Sequence, residues 1–171
     1  MKNNRDYSQF YQQLTGRIRE SDAACFVLRT AGKVMTGIMY GAYPVLLILL
    51  GIRGEKEQLI RTILVPGVSF VLLTAVRAGI NRPRPYETWN IDPIIHKDTR
   101  GNSMPSRHVF SSAVIAMAWL PVSATVGTVL MIIAAVAAWI RVMGGVHYPS
   151  DVAAGLLSGV AAGIFMVIFR G

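Results

Sequence analysis

The sequence predicts an all-α fold: a polytopic membrane helix bundle of about five transmembrane helices, preceded by an N-terminal amphipathic interfacial helix. The first observation is composition, because 53% of the 171 residues are hydrophobic and only 15% are charged. In a soluble domain about a quarter of the residues are charged. The second observation is that apolar residues form long runs without a charge, among them 34–52 and 109–140. Runs of about 20 apolar residues cross a bilayer core as helices.

The chain carries an excess of basic residues, with a formal net charge of +8. These charges flank the apolar runs and lack the interleaved aromatic residues of an RNA or DNA binder. We therefore expect the lipid bilayer and its anionic headgroups as partners, and no nucleic acid. Cys25 is the single cysteine, so no intrachain disulfide is possible. The polar start of the chain predicts that no cleavable signal peptide is present.

Residues 1–33 form the predicted amphipathic segment of a single domain that covers 1–171. Within 4–30, apolar residues such as Phe10, Leu14 and Ile18 fall near one helical face, and charged residues occupy other positions. A basic amphipathic segment before a membrane span often lies in the plane of the interface. A solvated helix that packs on the bundle fits the same pattern equally well, and the sequence leaves both alternatives open.

The predicted transmembrane bundle occupies 34–171 and begins with two spans, at 34–52 and 59–76, joined by a short polar loop. A polar loop rich in proline and arginine then covers 77–107. Loops of this length within a compact domain are usually functional or disordered. This loop is therefore a candidate functional segment.

The uncharged run after the loop is too long for one span, since a helix over 109–140 would reach about 48 Å. Pro121 divides it into antiparallel spans at about 104–120 and 123–142. The fifth span covers 152–169. Five spans make the chain a multi-pass protein of the cell membrane.

The fifth span repeats a glycine at every fourth position, at Gly155, Gly159 and Gly163. This small-xxx-small pattern allows another helix to approach closely. Packing against a helix of the same chain is the favoured interpretation. A homo-oligomer formed through these glycines is the alternative.

Counting spans brings distant polar residues to one end of the bundle. The second span ends near Arg77, the third begins near Ser106, the fourth ends at Arg141 and the fifth begins near Pro149. Because successive spans alternate in direction, all four points fall on the same side of the membrane. The residues predicted to meet there are Arg77, Arg82, Arg84, Arg107, His108, Arg141, His147 and Asp151.

Such a cluster predicts a phosphate site. Several arginines at one place need an anion, and guanidinium groups match phosphate oxygens in pairs. Proline-serine pairs mark two probable helix starts, at 105–106 and 149–150, and helix N-termini favour anions. His147 lies four residues before Asp151, which can hold one ring nitrogen and leave the other free to attack phosphorus.

The same cluster assigns a general acid and argues against a metal. His108 can protonate a leaving oxygen. The site has too few carboxylates for magnesium or calcium, so we expect neither a metal nor a cofactor. Arg82 and Arg100 are assigned to the interface as headgroup anchors, and His96 to the surface of the loop. The predicted chemistry is phosphoryl transfer through a phosphohistidine.

At these residues the sequence resembles the type 2 phosphatidic acid phosphatases, membrane lipid phosphatases that share a site design with vanadium haloperoxidases. The family pattern lysine-x6-arginine-proline matches 77–85, with Arg77 in place of lysine. Proline-serine-glycine-histidine matches 105–108, with Arg107 in place of glycine. Serine-arginine-x5-histidine-x3-aspartate matches 140–151, with Ile140 in place of serine. Order and internal spacing are kept in all three.

The resemblance implies a role for each matching residue. His147 is the nucleophile, Asp151 its partner and His108 the acid. The residues that hold the phosphate are Arg77, Arg84, Ser106 and Arg141. Arg107 either adds a phosphate contact or narrows the substrate range. The implied substrate is a membrane lipid phosphate or diphosphate, of the phosphatidate, phosphatidylglycerol phosphate or undecaprenyl diphosphate type.

Two other functions use the same residues. The site could bind an anionic lipid without turnover, as a transporter or scaffold, although binding needs only the arginines. A lipid phosphotransferase would pass the phosphoryl group to an acceptor other than water. The positive-inside rule places the active face in the cytoplasm, whereas the resemblance implies the extracytoplasmic face, which we favour.

Overall fold

The computed structural model describes residues 7–168, and within that part of the chain all regular structure is helical. Seven helices follow one another, and their bounds are α1 Tyr7–Arg19, α2 Asp22–Arg53, α3 Lys56–Ile80, α4 Pro85–Thr88, α5 Arg107–Trp119, α6 Ala124–Met143 and α7 Pro149–Ile168. Irregular segments surround α4, between α3 and α5. The predicted all-α helix bundle is confirmed.

The predicted N-terminal segment is divided in two. Helix α1 ends at Arg19, and the Ser21 side chain caps the next helix by accepting a hydrogen bond from Ala24 N at 3.3 Å. Serine is among the strongest N-capping residues, which explains the break. Helix α2 then runs without interruption across the predicted boundary at residue 33. The prediction of one amphipathic helix over 4–30 is therefore wrong, and residues 4–6 lie outside the described part.

Helix α1 packs on the bundle at the end where the site is expected. It buries Tyr11, whose hydroxyl donates to Met143 O at 3.1 Å and accepts from Ile94 N at 3.3 Å. Arg19 forms an ion pair with Asp92 at 3.1 Å. These contacts fix α1 against both the end of α6 and the loop before α5. Helix α1 therefore packs on the bundle, while its place in the plane of the membrane interface stays a prediction.

Four helical segments are long and apolar enough to cross a membrane: α2, Lys56–Thr88 (which contains α3), α6 and α7. Side chains such as Ile52, Leu72 and Leu157 are largely exposed on them, as lipid-facing residues are. The third predicted span, 104–120, is instead a helix of 13 residues that begins only at Arg107. The preceding residues are held in the site loop, so the count of five full-length spans is corrected to four.

Helix α5 nevertheless lies at the centre of the bundle. Nine of its residues are buried, and it packs mainly on α6 and α7. The turn that follows it reaches the opposite end, because Pro121 lines a small cavity with Gln58 at the start of α3 and Val167 at the end of α7. Successive helices from α3 to α7 (apart from the short α4) therefore still alternate in direction, although α5 is short.

The glycines of α7 face α5. An added Cβ would lie 2.6 Å from Ser106 O at Gly155, 2.6 Å from Phe110 O at Gly159 and 2.2 Å from Met117 Cβ at Gly163. The stripe is thus filled by a helix of the same chain, the favoured interpretation of the pattern. A homo-oligomer formed through these glycines would have to displace α5.

Candidate active site

The ends of four helices meet at the site. Helix α3 ends just after Arg77, α5 begins at Arg107, α6 ends just after Arg141 and α7 begins at Pro149. The connection between α6 and α7 is tight and buried, and it turns at Gly145, whose φ is +74°. Only glycine adopts that conformation readily, and a Cβ there would lie 2.8 Å from the Tyr11 hydroxyl. This turn places His147 over the start of α7.

His147 is held by two side chains through a single ring nitrogen. Its Nδ1 lies 3.6 Å from Oδ2 of Asp151 and 3.3 Å from the Ser103 hydroxyl. The Ser103 hydroxyl in turn donates to the same carboxylate oxygen at 2.5 Å. Since Nδ1 is occupied in this way, Nε2 is the nitrogen available for chemistry.

Asp151 is completely buried and fully hydrogen-bonded. Besides Ser103, its Oδ2 accepts from Tyr148 N at 2.9 Å, and its Oδ1 accepts from Nη1 of Arg82 at 2.8 Å. Arg82 also contacts the Ser150 hydroxyl at 2.8 Å and stacks 4.1 Å from the Tyr148 ring centroid. A buried carboxylate is stable only with such partners, so these groups keep Asp151 ionised next to His147.

The environment of His147 favours its neutral form. Burial and the charge of Arg84 together lower the pKa of His147 to about 4, although the carboxylate of Asp151 opposes the shift. Charging a buried imidazole among arginines costs free energy. At neutral pH the ring therefore retains a lone pair.

Three buried arginines surround this pair. Arg77 donates to the carbonyl oxygens of Asn102 and Pro105, and Arg84 donates to Gly101 O at 3.2 Å and Val146 O at 3.1 Å. The third, Arg141, donates to the Thr36 hydroxyl at 3.3 Å. None of the three forms an ion pair with a carboxylate among residues 7–168. Their positive charge is thus available to an anion.

The start of α5 supplies further polar groups. Ser106 is buried, its amide donates to Asp151 O at 2.9 Å, and its hydroxyl has no hydrogen-bond partner in the described structure. A buried hydroxyl without a partner is uncommon and fits a bound group. The guanidinium of Arg107 lies 5.8 Å from the Phe70 ring centroid.

A cavity of about 190 Å³ opens beside the start of α5, and we call it the reaction cavity. Arg107, His108 and Arg141 line its polar side. Its other walls are largely apolar and include Met39, Phe70 and Ile115, from α2, α3 and α5. The cavity therefore joins the charged end of the bundle to side chains at membrane depth.

The structure brings the predicted site residues to one bundle end, and it adds two residues to the histidine–aspartate pair that the sequence did not assign to catalysis. Arg82, assigned to the interface as a headgroup anchor, instead forms the ion pair with Asp151. Ser103 was not singled out, because a serine in an irregular loop carries no periodic signal. His96 and Arg100 are exposed in the loop, as expected for His96. No group of three or more His, Cys, Asp or Glu side chains suited to a metal ion occurs within residues 7–168.

Fold and site together define a membrane helix bundle with a histidine–aspartate pair inside a cluster of arginines. The family model of the PAP2 superfamily matches residues 58–171. The chain belongs to this superfamily.

The chain is also similar to individual proteins, at 22–30% sequence identity. The chain is 30% identical over 119 residues to a protein of Escherichia coli (strain K12) named "Putative undecaprenyl-diphosphatase YbjG"; the match covers 68% of this chain and 59% of that protein. The fold is similar to that of Aquifex aeolicus LpxE, with a TM-score of 0.73, 22% identity and 94% of each chain covered. It is also similar to a transmembrane PAP2 type phosphatidylglycerolphosphate phosphatase from Bacillus subtilis, with a TM-score of 0.54, 23% identity, and 94% and 92% of the two chains covered.

Proposed function

We propose that this protein is a metal-independent phosphatase that hydrolyses a membrane lipid phosphate or diphosphate through a phosphohistidine at His147. The observation that carries the proposal is the fixed Nδ1 of His147, which contacts Asp151 and Ser103 and so leaves Nε2 available for attack. A binding protein would need the arginines alone. The arrangement of a nucleophile, an orienting carboxylate and a second histidine supports turnover.

In the first step, Nε2 of neutral His147 attacks the phosphorus atom. A nitrogen–phosphorus bond forms as the bond from phosphorus to the lipid oxygen breaks. His108, in its protonated form beside the substrate phosphate, gives its proton to that leaving oxygen. Asp151 stabilises the positive charge that develops on the imidazole ring. The dephosphorylated lipid then leaves.

In the second step, water attacks the phosphorus of phosphohistidine. His108 now accepts the proton from water, inorganic phosphate is released, and His147 returns to its neutral form. Through both steps Arg77, Arg84 and Arg141 would bind the equatorial oxygens of the phosphoryl group, with the Ser106 hydroxyl as a further donor. Fixed donors at the points where charge develops are the largest source of catalysis in such reactions. Arg107, which lines the reaction cavity, would supply a further contact to the phosphate.

The substrate class follows from the reaction cavity. Its apolar walls extend from His108 towards α2 and α3, where a lipid chain would lie, and this supports a lipid over a soluble phosphate ester. The names of the relatives suggest phosphatidylglycerol phosphate or undecaprenyl diphosphate, and the sequence resemblance adds phosphatidate. Because the match covers only 59% of the Escherichia coli relative, the choice among them rests on assay.

The active site is proposed to face outside the cytoplasm. Labelling of a single cysteine placed at Asp98, in an otherwise functional Cys25→Ser background, tests this orientation. Asp98 is exposed in the loop at the site end of the bundle. A membrane-impermeant maleimide should label it in intact cells. Labelling only after lysis would place the site in the cytoplasm.

Phosphate release from a panel of lipid phosphates in detergent, with EDTA present, tests the activity. We expect release by the wild type and loss of at least about a thousandfold in kcat for His147→Ala, since removal of a covalent nucleophile typically has such effects. Lys56→Ala, an exposed residue at the opposite end of the bundle, is the control and should retain wild-type activity. Tight lipid binding without release by the wild type would contradict the proposal. Transfer to an added alcohol in place of release would identify a phosphotransferase.

A further inference from the structure

A second and larger cavity adjoins the reaction cavity. Its volume is about 590 Å³, and four basic side chains line it: Arg29, Lys33, Lys97 and Arg141. Among residues 7–168, no aspartate or glutamate lines it. We call it the basic cavity. Arg29 and Lys33 come from α2, Lys97 from the loop before α5 and Arg141 from the end of α6. Three separate elements thus supply cations to one space.

The loop that carries Lys97 is fixed on both sides. Ile95 N donates to Gly144 O at 3.0 Å, next to the turn that positions His147. Arg29 Nε donates to Ile94 O at 2.7 Å, which ties the same loop to α2. Lys97 therefore has a defined place near Arg141 and does not belong to a freely moving loop.

The charges of the basic cavity are not neutralised by the protein. Among residues 7–168, Arg29, Lys33 and Lys97 form no ion pair with a carboxylate within 4.0 Å. Burial, together with the nearby charges of Arg141 and Arg84, lowers the pKa of Lys97 to about 8. Cations that are gathered without a counter-ion repel one another, and a bound anion relieves that repulsion.

The two cavities share part of their lining. Thr36, Tyr40 and Arg141 border both. Arg141, one of the arginines that would bind the phosphate attacked by His147, therefore also borders the space that Lys97 lines. One headgroup can occupy both cavities with Arg141 between two of its anionic groups.

We infer that the basic cavity is a subsite for a second phosphate of the same lipid headgroup, bound by Lys97, Lys33, Arg29 and Arg141 while the first phosphate faces His147. The inference rests on the proposed function and narrows its substrate class to lipids with two phosphates. The second phosphate is either bonded to the first, as in a diphosphate, or carried elsewhere on the headgroup, as in a bisphosphate.

The test compares lipids that share a tail and differ in phosphate number: a monophosphate, a diphosphate and a bisphosphate with separated groups. The measured quantity is the KM of each two-phosphate lipid divided by the KM of the monophosphate. We expect this ratio to rise about tenfold in Lys97→Gln and in the exposed variant Lys33→Gln, the typical effect of losing one charge-assisted contact. Lys56→Gln, a matched lysine at the other end of the bundle, should leave the ratio unchanged. The two-phosphate lipid whose KM ratio rises identifies the spacing of the two phosphates.

Equal changes for the monophosphate and both two-phosphate lipids would overturn the inference. So would an effect on the monophosphate that appears only when phosphatidylglycerol is added to the micelles, because the cavity would then bind a neighbouring lipid. If the wild type releases no phosphate from any of the three, the proposed function fails. Equilibrium binding of the same lipids then tests the subsite. If the Kd of each two-phosphate lipid divided by the Kd of the monophosphate is unchanged in Lys97→Gln, the inference is overturned.

Discussion

Nη1 of Arg82 lies 2.8 Å from Oδ1 of Asp151, a contact between residues 69 positions apart. The arginine follows α3 and the aspartate lies in the first turn of α7, so the ion pair joins the first and the last of the three matched sequence patterns, 77–85 and 140–151. Asp151 is fully buried, whereas the Arg82 side chain is 32% exposed. Arg82 therefore neutralises the carboxylate that orients the nucleophile, and does so from the solvent side.

The first prediction concerns this ion pair. In Arg82→Gln the carboxylate of Asp151 loses its charged partner, and we expect kcat to fall about tenfold or more, equivalent to roughly 1.4 kcal/mol in the barrier. Arg82→Lys should recover part of the activity, because it restores the charge without the planar guanidinium. Steady-state kinetics on one lipid phosphate measures both. Equal activity of Arg82→Gln and the wild type would show that the pair has no part in catalysis.

The second prediction concerns Ser103, which contacts both His147 and Asp151. Ser103→Ala removes a hydrogen bond to a buried charged group, and such bonds contribute about 1.5–3 kcal/mol. Because the bond orients the nucleophile, we expect a fall in kcat of about 10- to 100-fold with little change in KM. Ser158→Ala is the matched control, since the Ser158 hydroxyl donates to Ala154 O within α7, away from the site. A change in KM alone would assign Ser103 to substrate binding instead.

The third prediction concerns the packing of α7 on α5. A Cβ at Gly159 would lie 2.6 Å from Phe110 O and 2.7 Å from Ala113 Cβ, whereas a Cβ at Gly41 on α2 meets nothing within 4 Å. Overpacking of this kind costs typically about 1–3 kcal/mol, so Gly159→Ala should lower the thermal unfolding midpoint in detergent. Gly41→Ala should leave it equal or raise it, because alanine favours helix. Loss of a dimer without a fall in the midpoint would instead support assembly through the glycine stripe.

The fourth prediction concerns the protonation of His147. Burial lowers its pKa to about 4, so the ring is neutral above that pH and becomes charged only below it. Nuclear magnetic resonance of ring-labelled histidines should show a His147 signal that is still neutral at pH 5. Its absence in His147→Gln assigns it among the three histidines of the chain. A midpoint near 6.5, the ordinary value for histidine, would contradict the burial of the nucleophile.

Much of this architecture follows from sequence because its causes are local or periodic. Uncharged runs mark the spans, and the alternation of span direction brings the ends near Arg77, Arg141 and His147 together. The spacing of His147 and Asp151 across a helix start is enough to predict their proximity. The glycine stripe likewise predicts a close helix contact, here made with α5.

The features that sequence did not reveal depend on tertiary contacts in irregular segments. The short α5 arises because the residues before Arg107 are drawn into the site loop, where Ser103 reaches Asp151. Arg82 is one of several arginines in a polar loop, and only the folded loop separates it from Arg100. The break before α2 had a local signal in Ser21, a strong capping residue, but the amphipathic pattern continued across it.

Trapping the covalent intermediate tests most directly whether His147 is the nucleophile. Wild-type protein mixed with lipid phosphate labelled in the phosphoryl group, and quenched in alkali during the first turnover, should carry the label on the peptide that contains His147. The label should be alkali-stable and acid-labile, as a phosphoramidate is, and it should be absent from His147→Ala. Rapid release of phosphate by the wild type without any labelled protein, or label on another residue, would contradict the assignment of His147 as the nucleophile.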